Sequence, residues 1–338
     1  MTDQMKAIAL LSGGLDSRLA VKLVQQQGIE VTALNFVTPF CNCTAKSSCK
    51  MEAQKASEEF GIALRVVPLF EEFMEVVKRP KHGYGSGMNP CLDCRILMFK
   101  MAGAYMRDNG ASFIVTGEVL GERPMSQRLD AINIIERESG MSGLIVRPLS
   151  ARLFEPSIPE QKGWVDRTAF LSISGRSRKP QIKLAEELDI GDYPCPAGGC
   201  LLTDKPFAER LRNLLKQNPD PTKNDVLLLK VGRLFTGPSG SRIVVGRNEA
   251  ENLRLDQLCR AGDWLLTAVD WVGPTVLVRG ESIGYPDLEA AAKLTAGYGK
   301  GRGEALINVC CRPVGAGSEK VIGVAPVESA ILKAAVNG

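Results

Sequence analysis

The sequence predicts an α/β fold, a doubly wound parallel sheet, followed by a second, smaller α+β domain. Three observations predict it. Over residues 1–205, short apolar runs of β type alternate with stretches of helical pattern. Those runs are mostly unbroken rather than alternating, as in strands buried on both faces of a parallel sheet. Beyond the polar, proline-containing segment 216–225 (KQNPDPTKND), the pattern changes to short β-like runs broken by glycines. The reading is therefore residues 1–215 as one domain, 216–225 as a linker and 226–338 as the second domain. A chain of 338 residues with 44% hydrophobic content is long enough for two cores.

Taken in order, the candidate strands of the first domain are Lys6–Leu11, Glu30–Phe36, Leu64–Pro68, Ser112–Gly117 and Leu144–Leu149. Helical stretches fall between them at Ser17–Gln27 and at Lys50–Phe60, the latter stopped by Gly61. Another covers Ile96–Met106, with Asn89 suited to an N-cap and Pro90 to the first helical position. Phe207–Leu215 is helical. Strand-like runs then recur at Val226–Val231, Arg242–Val245, Trp264–Ala268 and Thr275–Val278. In such a doubly wound domain, ligands bind at the carboxyl ends of the strands.

Charge excludes little: 42 basic residues against 38 acidic ones give a net +4, and a nucleic-acid face can be basic on a balanced protein. The apolar run Ala7–Leu11 is too short for a signal-peptide core, and no stretch is long enough to span a membrane, so a cytoplasmic protein is expected. Ten cysteines in such a protein read as thiols, metal ligands or redox groups rather than as a disulfide framework. The single histidine, His82, excludes paired-histidine zinc fingers. Any metal site must be built largely of thiolates, which select zinc or iron–sulfur clusters.

The first strand runs directly into Ser12-Gly13-Gly14-Leu15-Asp16-Ser17, with a helix following. Two glycines let successive N–H groups point into one concavity, and the helix start adds its own amides and partial positive charge. Both hydroxyls can bond phosphate oxygens, and Asp16 can hold the loop or a Mg2+ ion. The lysine of a Walker A loop is absent. A tight βα turn with no ligand is the plain alternative. The six residues, at the first strand-to-helix turn, resemble the PP-loop of the ATP pyrophosphatase superfamily. The resemblance implies that ATP is cleaved between its α and β phosphates. The loop would hold the leaving pyrophosphate while AMP passes to a substrate oxygen. It also implies that Asn35 and Phe36 lie near the adenine, and that Thr116, Gly117 and Glu118 line the same crevice.

Cys91 and Cys94 share a helical face at i, i+3 in a first turn, where the helix field favours thiolates. A third cysteine, Cys200, stands in the segment PAGGCLLTD at 196–204. A structural zinc half-site and two buried thiols remain alternatives for the pair. These positions resemble the tRNA thiouridine synthases, of both 2-thiouridine and 4-thiouridine types. The similarity extends through residues 113–118, 123–127, 147–149 and 174–179, and so over most of residues 1–205. It implies ATP-dependent thiolation of a tRNA uridine, with Cys94, Cys200 and Asp16 as catalytic residues. The additional Cys91 is similar to the iron–sulfur-dependent members, where three thiolates hold a 4Fe-4S cluster and leave one iron open to sulfide. No rhodanese-type segment or THUMP domain is recognisable. The resemblance therefore implies a separate sulfur donor: a cysteine desulfurase, a persulfide carrier or free sulfide.

Arg176, Arg178 and Lys179 are candidate contacts to RNA phosphates, or ordinary solvated charge. Cys41, Cys43 and Cys49 form a further cluster, either a Zn2+ site lacking one visible ligand or donors to the active-site metal. Cys195, Cys259, Cys310 and Cys311 read as structural. The glycine-rich loop Pro80–Met88 reads as a mobile lid carrying a solvent-exposed His82.

Within the second domain, Ile243-Val244-Val245-Gly246-Arg247-Asn248, Asn252, Gly262-Asp263-Trp264 and Gly273-Pro274 resemble the NFACT-R domain, which implies association with RNA. Leu265-Leu266-Thr267 stand where that family usually has a histidine, so no role can depend on one. Two other functions fit the same chain: a PP-loop enzyme acting on a small molecule, and an RNA-binding adaptor with an inactive nucleotide site.

Overall fold

The computed structural model describes residues 5–41, 49–191, 193 and 199–327. The chain divides into two compact units, Met1–Glu209 and Arg210–Gly338, so the boundary lies a few residues before the one expected at 215.

The first unit runs β1 (Lys6–Leu10), α1 (Leu15–Gln25), β2 (Glu30–Val37), α2 (Cys49–Glu59), β3 (Ala63–Pro68), α3 (Glu71–Lys78) and α4 (Cys91–Asp108). It continues through β4 (Phe113–Thr116), α5 (Leu129–Ser139), β5 (Ile145–Val146), α6 (Ile158–Gln161) and α7 (Lys179–Glu187). The chain passes from one unit to the other inside α8 (Lys205–Gln217). The five strands are all parallel in the order β3-β2-β1-β4-β5. The doubly wound fold is thus as the sequence predicts. β1 explains the unbroken apolar runs. Ala7 and Ala9 pack with Leu19 and Val24 of α1, while Ile8 and Leu10 pack with Phe99 and Met106 of α4. Both faces of the strand are buried. The chain winds outward from β1 in both directions, so the end of β1 is the switch point where such folds bind ligands.

Local departures have identifiable causes. β5 is only two residues long. α4 starts at Cys91 with Pro90 as its N-cap and no side-chain cap, so Asn89 lies one position outside the cap expected of it. The segment expected as a lid is tied down instead. Gly85 N donates to Asn89 O at 2.9 Å, His82 N donates to Asp93 Oδ2 at 3.0 Å, and the Tyr84 hydroxyl donates to Val77 O at 2.5 Å.

The second unit contains α9 (Lys223–Leu228), β6 (Arg233–Thr236), β7 (Arg242–Val245), α10 (Glu249–Leu258), β8 (Trp264–Ala268), β9 (Val276–Arg279), α11 (Tyr285–Tyr298), β10 (Ile307–Pro313) and β11 (Lys320–Val324). Its antiparallel sheet has the order β11-β10-β8-β9-β7-β6. Ile243, Val245, Leu266, Val276 and Val278 face α11, together with the buried Cys311. Val244, Leu265 and Leu277 face α9 and α10 through Leu228, Leu255 and Leu258. The first half of the run Val226–Val231, expected as a strand, belongs to α9. Thr222 and Asp225 close a capping box in which each side chain accepts from the other's backbone N–H, and the leucines that follow are good helix formers. The expected linker is correspondingly short, since Lys216 and Gln217 finish α8 and Lys223 begins α9.

Candidate active site

The phosphate loop is braced from below. Ser17 Oγ donates to Gly14 O at 2.8 Å, and Gly14 N donates to Ser12 Oγ at 3.3 Å. Arg18 is fully buried; its Nε donates to Gly13 O at 3.1 Å and its guanidinium pairs with Glu59 at 2.8 Å. Gly13 has φ +80°, and a Cβ there would fall 2.4 Å from the backbone carbon of Glu52 in α2. Gly14 has ordinary backbone angles, φ −75° and ψ 161°, and its added Cβ would meet only Ser12 Oγ, at 3.4 Å. The first glycine is therefore required by packing, and the second leaves open space above the loop. The first-turn amides of α1, which have no acceptor within the helix, adjoin that space.

Two loops border the same place. A Cβ on Gly117 would lie 2.4 Å from the Asp16 carbonyl carbon, so the end of β4 touches the start of α1. Leu120 and Ser174 form a parallel bridge, and Gly175 N donates to Leu120 O at 2.7 Å. Burial raises the Asp16 carboxyl above the usual aspartate range, against the opposing pull of Arg178 and Arg123. Asp16 Oδ1 and both amide atoms of the fully buried Gln181 make no well-formed hydrogen bond, although the Gln181 amide is near enough to Asp16 to oppose the rise of its carboxyl. These under-bonded polar atoms make the loop a place for a polar guest. Arg178 thus faces the nucleotide loop, whereas Arg176 and Lys179 are exposed. Asn35 donates to Leu11 O at 2.8 Å and staples β1 to β2, leaving its Oδ1 without a partner; Phe36 is half-buried against the α4 side of the sheet.

Glu118, only 3% exposed, bonds two guanidinium groups: Arg95 through Oε1 at 2.6 Å and Arg147 through Oε2 at 3.0 Å. Arg147 also pairs with Glu136. The clamp fixes Arg95 next to Cys94 at the start of α4.

Cys200 is brought to this helix start by two contacts. It forms an isolated antiparallel bridge with Cys41, and Leu201 N donates to Phe40 O at 2.9 Å. The loop before α4 holds its other side: Met88 N donates to Leu202 O at 2.8 Å and Ser86 Oγ to Thr203 O at 3.2 Å. Gly87 (φ +67°) comes so near that a Cβ would lie 2.3 Å from Leu202 O. Burial pushes the Cys94 thiol far up; the Arg95 charge lowers it, and Cys200, Cys91 and Cys41 raise it further. Burial likewise pushes Cys200 up to about 11, with Cys41 and Cys91 adding to the rise. At Cys94 burial therefore outweighs the thiolate-favouring field expected of the helix start. The mutual influence puts Cys41, Cys91, Cys94 and Cys200 in one neighbourhood.

Cys41, expected in another cluster, lies beside Cys200; Cys43, Cys195 and the side chain of Cys49 fall outside the described residues. Among the described residues, no three Cys, His, Asp or Glu side chains converge tightly enough to hold a single metal ion. Sequence reasoning missed Arg95, Gln181 and Gly87, and it placed Arg123 and Arg147 in matching segments without giving either a role. Arg95 left a signal, since it follows Cys94. Gln181 and Gly87 left none.

Residues 2–152 match the family described as "Thiamine biosynthesis protein (ThiI)", and residues 232–334 match the "NFACT protein RNA binding domain". Each match covers less than half of the chain, and together they mark two segments similar to two different families. Among curated proteins, it is 23% identical over 233 residues to the tRNA-specific 2-thiouridylase MnmA of Proteus mirabilis, covering 64% of this chain and 59% of that one. It is 30% identical over 149 residues to a probable tRNA sulfurtransferase of Halothermothrix orenii, covering 43% and 35%. The chain thus spans well under two thirds of the length of these relatives. Among solved structures, it matches a 4-thiouridine synthetase–RNA complex with bound ATP at 22% identity and TM-score 0.37, over 67% of this chain and 52% of that one. It matches the U34-tRNA thiolase NcsA of Methanococcus maripaludis with its [4Fe-4S] cluster at 18% identity and TM-score 0.32, over 68% and 74%. No helix among the described residues is long and apolar enough to cross a membrane.

Proposed function

We propose that this chain is an ATP-dependent tRNA sulfurtransferase that adenylylates a uridine carbonyl and then replaces its oxygen by sulfur. The observation that carries this reading is the end of β4, where Gly117 packs against Asp16 of the phosphate loop and the next residue, Glu118, holds Arg95 beside Cys94. Two consecutive residues thus touch the proposed nucleotide loop and the arginine beside the proposed sulfur centre.

In the first step the uridine oxygen attacks the α phosphorus of ATP, a P–O bond breaks, and pyrophosphate leaves into the Ser12–Ser17 loop. The first-turn amides of α1 and the two hydroxyls stabilise its charge. Arg178 and Arg123 add positive charge at the mouth. Asp16 Oδ1, buried without a well-formed hydrogen bond, suits a Mg2+ ion, which would neutralise phosphate charge. In the second step a sulfur nucleophile attacks the activated ring carbon, and AMP leaves with the former carbonyl oxygen. Cys91, Cys94 and Cys200 fit a 4Fe-4S cluster by their all-sulfur donor set, and a cluster, being several atoms wide, is held from farther apart than a single ion. When bound, it would supply a site for incoming sulfide. Arg95, clamped by Glu118, offsets thiolate charge there. A persulfide relay through Cys94 and Cys200 alone is the second reading. The sulfur donor is a persulfide carrier, a cysteine desulfurase or free sulfide.

The second unit serves as an RNA-holding domain in this scheme, with Arg176 and Lys179 as further phosphate contacts. A tRNA substrate implies work in the cytoplasm. The test is anaerobic incubation with ATP, sulfide and unmodified tRNA, followed by nucleoside mass spectrometry. Thiouridine should form with wild type, while Cys200→Ala should lose it and keep ATP–pyrophosphate exchange. ATP turnover without sulfur in RNA, under any donor tried, would sink the proposal.

A further inference from the structure

Cys41 has no part in the reaction just described, yet it is placed more exactingly than chance proximity requires. It follows β2 and stands opposite Cys200 in an isolated antiparallel bridge. The bond from Leu201 N to Phe40 O, 2.9 Å, joins the residue after Cys200 to the residue before Cys41. A bond at that position makes Cys41 and Cys200 a non-hydrogen-bonded pair, the narrow one of an antiparallel ladder, where Cα atoms stand about 4.5 Å apart and side chains lie on one face. Disulfides take Cα separations of about 4.4–6.8 Å, so this register can close one without a change of fold. Each cysteine has a fixed neighbour on its described side. Phe40 is fully buried, with Phe73 and Phe207 ring centroids at 5.6 and 6.1 Å, and the far side of Cys200 is held by the Met88 and Ser86 bonds. Both cysteines are half-buried rather than sealed.

We propose that Cys41 and Cys200 are a cross-strand dithiol that oxidises to a disulfide and thereby withdraws Cys200 from the sulfur centre. With hydrogen peroxide as the oxidant, one thiol gives up its proton as an oxygen passes to its sulfur, giving a sulfenic acid and water. The other thiol attacks that sulfur, an S–S bond forms, and a second water leaves. Two thiols lose two electrons in all, and one peroxide becomes two waters. A dithiol reductant reverses the change by exchange. Cys91 and Cys94 then lack their third partner until reduction. The linkage stands independently of the proposed thiolation; only its consequence rests on that reading.

The full chain, purified anaerobically, stripped of iron and reduced, is treated with stoichiometric peroxide. Remaining thiols are alkylated, and the peptides are mapped by mass spectrometry. A Cys41–Cys200 linked peptide should dominate, two thiols per chain should disappear, and dithiothreitol should restore both. After the same treatment Cys41→Ser should leave Cys200 unlinked to Cys91 or Cys94. The oxidised wild type should take up at least tenfold less iron and sulfide on reconstitution than the reduced protein. A Cys200 linked instead to Cys94 or Cys91, or one that stays fully alkylatable, overturns the pairing. Equal iron uptake by oxidised and reduced protein overturns the consequence and leaves the pairing intact. Thiolation activity enters neither readout, so failure of the proposed function would be seen separately.

Discussion

The adjoining glycines of the phosphate loop should fail in opposite ways when each is replaced by alanine. At Gly13 the backbone is left-handed, which costs an L-residue about 1–2 kcal/mol, and the new methyl would sit 2.4 Å from the Glu52 backbone. A helix backbone cannot step aside as a side chain can, so overpacking adds about 1–3 kcal/mol. The sum, about 2–5 kcal/mol, is a large part of the roughly 5–15 kcal/mol that holds an ordinary domain. At Gly14 the angles suit any residue and only Ser12 Oγ is near, at 3.4 Å. There the loss of chain freedom in the unfolded state should stabilise by about 0.4–1 kcal/mol. The same methyl, enlarged to an isopropyl in Gly14→Val, occupies the space that pyrophosphate needs. Urea unfolding should therefore place Gly13→Ala well below wild type and Gly14→Ala at or slightly above it. ATP–pyrophosphate exchange should vanish in the folded Gly14→Val protein. Full exchange in that variant would refute the phosphate loop, and a Gly13→Ala protein as stable as wild type would refute the packing argument.

Glu118→Gln should destabilise the first unit by about 3–5 kcal/mol, because it leaves two guanidinium groups short of a buried counter-charge. Burial alone would raise the Glu118 carboxyl, but Arg95 and Arg147 more than reverse this, so its folded-state pKa lies below the ordinary value of 4.5. Its stabilisation is then present above pH 4.5 and lost as pH falls through the lower folded-state value. Acid melting curves of wild type should show that loss, and those of Glu118→Gln should lack it. Asp16 has the opposite sign: burial raises its pKa, so the folded state binds the extra proton and the ionised side chain opposes folding as pH rises past the unfolded value. Asp16→Asn should accordingly melt no lower than wild type at pH 7 and converge with it in acid, while forming no AMP. A lower melting temperature at pH 7 would mean that Asp16 holds the loop together rather than its ligand.

The parallel sheet is legible in the sequence because its strands are buried on both faces, and an unbroken apolar run as short as Ala7–Leu11 suits few structures besides a central strand. The phosphate loop is legible for a related reason: one continuous segment supplies both the cradle and the helix start. What the sequence does not show is assembled across distance. Glu118 reads as one acidic residue at a strand end, and only the fold turns it into a clamp on Arg95 and Arg147. Val226–Val231 misleads because its apolar composition is visible along the chain, whereas the Thr222–Asp225 box that starts a helix there depends on side-chain geometry. The loop at 80–88 misleads for the converse reason. Glycines signal freedom in a sequence, but at Gly87 the missing side chain permits a contact that a Cβ would block at 2.3 Å from Leu202 O.

That contact bears on how the sulfur centre is built. Cys91 and Cys94 are positioned by one helical turn, but Cys200 comes from more than a hundred residues downstream and is followed only by the single 3-10 turn Leu201–Thr203, which it caps. It is held from two sides by backbone: the Cys41 strand end on one and the 86–88 turn on the other. Neither side involves the sulfur atom, so the thiol can change partner while its main chain stays in place. The sulfur-transfer role proposed for Cys200 would use this arrangement, since the residue would have to release whatever it binds without the site dispersing. The same two-sided support explains why the register with Cys41 is narrow enough for a disulfide. The backbone that presents Cys200 to Cys91 and Cys94 also presents it to Cys41, and the redox state of the surroundings decides which of the two it meets.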